Sequence, residues 1–121
     1  MFISSIQWID EENQEAEVFV SDGYFNLKCF SHPFSKNVKD NLTEPIYCLD
    51  VENVVIAYEQ VPYVKKSDTI FGYFICGKFI DKKNKLILLG SIKLCLECAY
   101  IPNDIPEGVF VEFTVSRLSI Y

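Results

Sequence analysis

Two short turns of one pattern stand in opposite halves of this chain. Residues 9–13 read Ile9-Asp10-Glu11-Glu12-Asn13, and residues 80–84 read Ile80-Asp81-Lys82-Lys83-Asn84. Each lies between two apolar runs rich in β-branched and aromatic residues. Asp accepts bonds from its own turn backbone, and Asn tolerates the left-handed conformation that closes a short hairpin. Two hairpins built alike are therefore predicted, one with an acidic tip and one with a basic tip. A chain so punctuated has little room for long helices.

Side-chain alternation extends the reading. Phe2 to Ile9 is a first strand. In Glu15 to Val20 the apolar residues Ala16, Val18 and Val20 share one face and Glu15 and Glu17 the other, the period-two mark of a strand with one buried face. Ser21-Asp22-Gly23 signals a second turn, with Gly supplying positive φ. Tyr24 to Phe30 completes a three-stranded meander. Residues 31–45, broken by Pro33 and Pro45, and residues 61–69 are predicted loops, long enough to serve as binding elements. Between them, Val51, Val54, Val55 and Tyr58 have helical spacing and Asp50 offers a cap, which predicts a short helix at about residues 50–59. The β-branched Val54-Val55-Ile56 suits a strand equally. Phe71 to Ile80 and Leu86 to Glu97 form the second hairpin, with Gly77 and Gly90 marking bulges or bends. The last strand buries Val109, Val111, Phe113 and Val115, then shifts parity to Leu118 and Ile120. A one-residue shift without loss of strand character predicts a bulge near Ser116-Arg117. The expected core comprises Val18, Val20, Leu27, Ile92, Leu94, Val111, Phe113 and Val115.

At 121 residues, half of them hydrophobic, the chain is long enough for one domain, residues 1–121, with a packed core. A meander, a connecting element and a closing hairpin plus strand follow the order of an OB-fold. The predicted class is all-β: a small OB-like barrel of about six strands with at most one or two short helices. The segment Ile105-Pro106-Glu107-Gly108-Val109-Phe110-Val111-Glu112-Phe113 looks like the turn and final strand of many OB-type barrels. The chain as a whole resembles small uncharacterised OB-fold-like proteins of low-GC bacteria. That resemblance implies a fold and carries no activity.

Chemical motifs are sparse. Cys95-Leu96-Glu97-Cys98 has the spacing of half a zinc knuckle, but a structural site needs a second pair, and Cys29, Cys48, Cys76 and His32 are scattered singly. Ordinary reduced cysteines are the favoured reading. Five cysteines and no basic-then-apolar leader predict a cytoplasmic protein. No uninterrupted apolar stretch is long enough to span a membrane. His32 lacks an identifiable nucleophile or orienting acid. The acids at residues 10–17 lack the spaced ligands and glycine of a calcium loop. No phosphate-binding glycine pattern occurs. The expectation is no enzyme, no cofactor and no metal.

Charge is the remaining functional signal. The net charge is −6. Residues 1–60 carry eleven acids against three lysines, a net of −8, while residues 61–121 carry six acids against seven lysines and Arg117, a net of +2. The candidate partner-binding residues are Glu11, Glu12, Glu15 and Glu17 on one hairpin and Lys78, Lys82, Lys83 and Lys85 on the other. A binding module for another protein is the leading expectation, since net acidity opposes attraction to phosphate backbones. Docking of the acidic tip on the basic tip of a second copy would make a homodimer. The alternative is a small acidic immunity-type inhibitor of a basic toxin or nuclease. Third is a single-stranded nucleic-acid binder, in which the lysines act with Tyr73, Phe74 and Phe79 by stacking and charge.

Overall fold

A computed structural model describes residues 1–121. It is all-β and contains no helix. Eleven strands form one mixed sheet: β1 (Phe2–Asp10), β2 (Glu15–Ser21), β3 (Asn26–Ser31), β4 (Ile46–Leu49), β5 (Glu52–Ile56), β6 (Tyr63–Lys66), β7 (Tyr73–Asp81), β8 (Leu86–Leu89), β9 (Ile92–Cys95), β10 (Phe110–Val115) and β11 (Arg117–Ile120). Their order is β1-β2-β3-β11-β4-β9-β8-β7-β10-β5, with β6 on β7. Most pairs are antiparallel; β3–β11 and β4–β9 are parallel.

This corrects the expected OB-like barrel of about six strands. The sheet is open, because the end strands β1 and β5 do not pair with each other. Three local differences account for four of the five additional strands, and the break at Ser116 between β10 and β11 accounts for the fifth. The expected strand from Leu86 to Glu97 is two strands, β8 and β9, joined by a two-residue turn at Gly90-Ser91. Gly90 has φ +60, as the first central position of a type II′ hairpin turn requires. A Cβ there would also strike the Asp22 carboxylate and the Phe25 ring. The short strands β4 and β6 each begin just after a proline, at Ile46 and Tyr63, inside or beside segments expected to be loops. Finally, no helix forms at residues 50–59. Val54 to Ile56 belong to β5, whose Val111↔Ile56 and Glu112↔Val55 pairings with β10 win over the helical spacing. That segment buries Val54 and Ala57 but leaves Val55, Ile56 and Tyr58 exposed, so no helical stripe is buried.

The twin hairpins form as expected, and they match atom for atom. Asn13 donates its backbone N–H (3.2 Å) and its side-chain amide (2.7 Å) to the Asp10 carboxylate. Asn84 does the same to Asp81, at 3.0 and 2.9 Å. Here too one detail is corrected. The left-handed residue is the one after the asparagine: Gln14 at φ 61 and Lys85 at φ 54. Asn is needed for its amide, which closes the ring with Asp.

The parity shift near Ser116 falls at a one-residue break between strands and not at the expected bulge, since Thr114↔Glu52 and Arg117↔Leu49 keep one register across it. Ser116 separates β10 from β11, and its N–H donates to the Leu49 carbonyl oxygen (3.0 Å). The two halves of this bent strand stand at the fourth and ninth places of the strand order. The sheet must therefore curl back on itself. Contacts between strands that are not sheet neighbours follow: Lys28 N–H on β3 donates to the Tyr73 hydroxyl on β7 (3.0 Å). One core of 25 buried residues fills the interior, including all eight predicted core residues. Within it Gly77 permits a close approach, since a Cβ would lie 2.6 Å from Ile87 Cγ2 and 2.8 Å from the Leu88 carbonyl oxygen.

Candidate functional site

The expected partner-binding residues are not equivalent in the structure. Glu11 and Glu12 stand exposed at the β1–β2 tip. Glu15 and Glu17 are half-buried on β2, and Glu17 is paired with Lys28 at 3.3 Å. On the other hairpin, Lys82 gives its N–H to Glu107 Oε2 (2.9 Å) and its ammonium to the Asn103 carbonyl oxygen (2.7 Å). The Lys85 ammonium donates to the Ala99 carbonyl oxygen (2.7 Å). Two of the four lysines thus fasten the β7–β8 hairpin to the chain before β10. Lys78 and Lys83 are exposed without a side-chain partner. Of the aromatics expected to stack beside them, Tyr73 and Phe79 are buried and Phe74 is partly exposed.

The loops also take up structural roles. Residues 31–45 cover the free edge of β1: Ile3 N–H donates to Asp40, Lys39 N–H to Ile3, and Leu42 N–H to Met1, at 3.0, 2.7 and 2.9 Å. Phe34 is buried from the same loop, its ring 5.8 Å from that of Trp8. Within residues 61–69, β6 adds to the edge of β7.

A groove that the sequence reading missed lies where β4, the end of β9 and the end of β11 meet. Its first lobe, of about 610 Å³, is lined by Glu44, Tyr47, Leu49, Glu97, Cys98 and Tyr121, with Cys48 beside them. Alternation along β4 builds it. Ile46 and Cys48 point into the core, so Tyr47 and Leu49 point out. The parallel register Tyr47↔Cys95 sets Tyr47 beside the start of the loop that carries Glu97 and Cys98. The rings of Tyr47 and Tyr121 meet edge to face, with centroids 5.3 Å apart and planes at 65°. Neither Glu44 nor Glu97 has an ion-pair partner, since the one ion pair in the molecule joins Lys28 and Glu17. Partial desolvation pushes the Tyr47 hydroxyl above its ordinary value, and the negative charges of Glu97 and Glu44 add to the shift. The lobe is thus aromatic and electronegative, a combination that attracts cations.

A second lobe of about 430 Å³ shares Glu44, Tyr47 and Glu97 with the first and is closed by Lys83, Asn84 and Lys85 of the basic tip. So one of the expected lysines, Lys83, does contribute free charge to a concave surface. The signal for this groove was present in Ile46-Tyr47-Cys48-Leu49, an alternating run after a proline. It is only four residues long, and its parallel partner lies far away in sequence.

The four buried cysteines are poor nucleophiles. Cys29, Cys48, Cys76 and Cys95 are buried and Cys98 is exposed. Burial is the leading cause that raises Cys29, Cys48 and Cys95 and pushes Cys76 up to about 11. No three His, Cys, Asp or Glu side chains cluster as a metal site would require. No helix is long and apolar enough to cross a membrane. Comparison with protein-family models, with curated proteins and with solved structures finds no match to this chain.

Proposed function

We propose that the chain is a non-catalytic binding module whose partner is another protein, engaged through a basic segment that lies in the groove around Glu44. The observation that carries this reading is the pairing of two unpartnered carboxylates, Glu44 and Glu97, with the ring pair Tyr47–Tyr121 in one open lobe. A continuous groove of two lobes suits an extended chain. The exposed acids Glu11 and Glu12 and the net charge of −6 add long-range attraction for a basic partner. The use of Lys82 and Lys85 as structural donors disfavours a single-stranded nucleic acid as the ligand.

The test is fluorescence anisotropy with labelled eight-residue peptides that are basic, neutral or acidic but otherwise matched. The basic peptide should bind alone, and more weakly as salt rises. Reversing Glu44 and Glu97 to lysine should abolish binding. Reversing Glu11 and Glu12 should slow association with a smaller loss of affinity. Binding of a labelled oligonucleotide, removed by reversing Lys78 and Lys83, would overturn the proposal.

A further inference from the structure

The groove changes sign along its length. Its first lobe holds Glu44, Glu97 and the two tyrosine rings. The second, across the shared wall of Glu44, Tyr47 and Glu97, holds the exposed Lys83, while the Lys85 ammonium is held by the Ala99 carbonyl oxygen. We infer that the first lobe is a subsite for an arginine side chain, and that the second takes a carboxylate of the same segment, placed against Lys83. This inference rests on the basic-segment reading above and narrows it to a segment of mixed charge.

Two observations favour arginine over lysine in the first lobe. A guanidinium is flat and weakly hydrated, so it stacks on a ring while its edge donates to carboxylates; an ammonium is a compact, strongly hydrated point charge. The lobe offers both elements at once, rings from Tyr47 and Tyr121 and carboxylates from Glu44 and Glu97. The protein also makes this contact within itself. The Arg117 guanidinium sits 4.9 Å from the Phe30 ring centroid, closer than the Lys66 ammonium to Tyr73 at 5.3 Å and the Lys28 ammonium to Phe19 and Phe71 at 5.9 Å. A purely basic segment would meet Lys83 in the second lobe with like charge. A carboxylate there removes that repulsion.

The experiment is a titration of the full chain followed by amide chemical shifts, with acetyl-arginine amide, acetyl-lysine amide and acetyl-citrulline amide as probes. Shifts should centre on Tyr47, Glu97, Cys98 and Tyr121. Arginine should bind about two- to fivefold tighter than lysine, and uncharged citrulline should fall away. Glu44→Gln with Glu97→Gln should remove arginine binding while the core amides keep their positions. A blocked arginine–glycine–glutamate peptide should bind about twofold to fivefold tighter than its glutamine analogue. Lys83→Glu should reverse that preference and leave acetyl-arginine amide unaffected. Equal binding of arginine and lysine would overturn the arginine subsite and leave the basic-segment reading standing. Equal binding of arginine and citrulline, or shifts away from the groove, would overturn both. A preference for glutamate that survives Lys83→Glu would remove the carboxylate half of the inference.

Discussion

Asp22 joins two turns that are distant in sequence. Its carboxylate accepts N–H bonds from Tyr24 and Phe25 in its own turn and from Ser91 in the β8–β9 turn, at 2.9, 2.8 and 2.8 Å. Desolvation alone would raise this carboxyl, but the backbone donors outweigh it and hold it below its ordinary value. Such a group binds fewer protons folded than unfolded. Its stabilisation is complete above the unfolded value of about 3.9 and is lost as pH falls through the lower folded value. Asp10 and Asp81 are lowered by their bonds to Asn13 and Asn84 and act with the same sign. Asp22→Asn should therefore lower the melting temperature at neutral pH and flatten, without erasing, the decline below about pH 4. An acid decline as steep in the variant as in the parent would show that Asp22 is not a source of it. Thiol chemistry gives a second expectation at this scale. In the native protein only Cys98 should react promptly with a thiol reagent, and the four buried cysteines should follow on unfolding. A second promptly reacting thiol would contradict the burial of that residue.

At the scale of the element, the twin hairpins share a backbone path but differ in what the left-handed residue does. Gln14 and Lys85 both adopt a conformation that costs an L-residue about 1–2 kcal/mol. Gln14 is exposed and its side chain makes no hydrogen bond, so Gln14→Gly should stabilise the protein by up to about 1 kcal/mol after the added unfolded-state entropy is subtracted. Lys85→Gly gains the same relief but loses the bond to Ala99, so it should be neutral or destabilising. Urea denaturation of both variants checks the contrast; equal gains would mean that the Lys85 tether contributes nothing. These hairpins were legible because turn chemistry and period two are local signals. The type II′ turn at Gly90-Ser91 was half-legible: glycine marked a bend, and only pairing revealed a full reversal. β5 was ambiguous because five residues rich in valine satisfy both periodicities, and the partner that decides, β10, lies half the chain away. Beyond the short alternating run of β4, the groove was hidden for the same reason. Tyr47, Glu97 and Tyr121 come from three separate segments brought together by β4–β9 and β11–β4 pairing, which no window of sequence contains.

For the whole molecule, the decisive device is the bend at Ser116. β10 pairs with β7 and β5, β11 pairs with β3 and β4, and one residue separates them. The parity shift at this residue lets Phe113 and Val115 on one side and Leu118 and Ile120 on the other all reach the same core. The sequence showed the parity shift, which proved to be a break between strands and not a bulge, but not the parallel β3–β11 and β4–β9 pairings that turn a bent strand into a curled, open sheet. Phe113→Ala measures the ordinary cost of this core. It removes a ring that is 3% exposed and should destabilise by about 3–5 kcal/mol. Deleting Ser116 should be far worse than that. Without Ser116 the chain is one residue short against the facing segment from Leu49 to Glu52: period two would still turn Leu118 and Ile120 inward, but holding β10 on β7 would pull β11 out of register with β3 and β4. The alternative is to keep β11 in register and tear β10 from β7. Either way one half of the sheet loses the other. The deletion should abolish cooperative unfolding and amide-shift dispersion, while Ser116→Gly, which keeps the chain length and the N–H bond to Leu49, should cost about 1 kcal/mol or less. A Ser116 deletion that still melts cooperatively within a few degrees of the parent would mean that the two halves of the sheet fold independently of the bent strand.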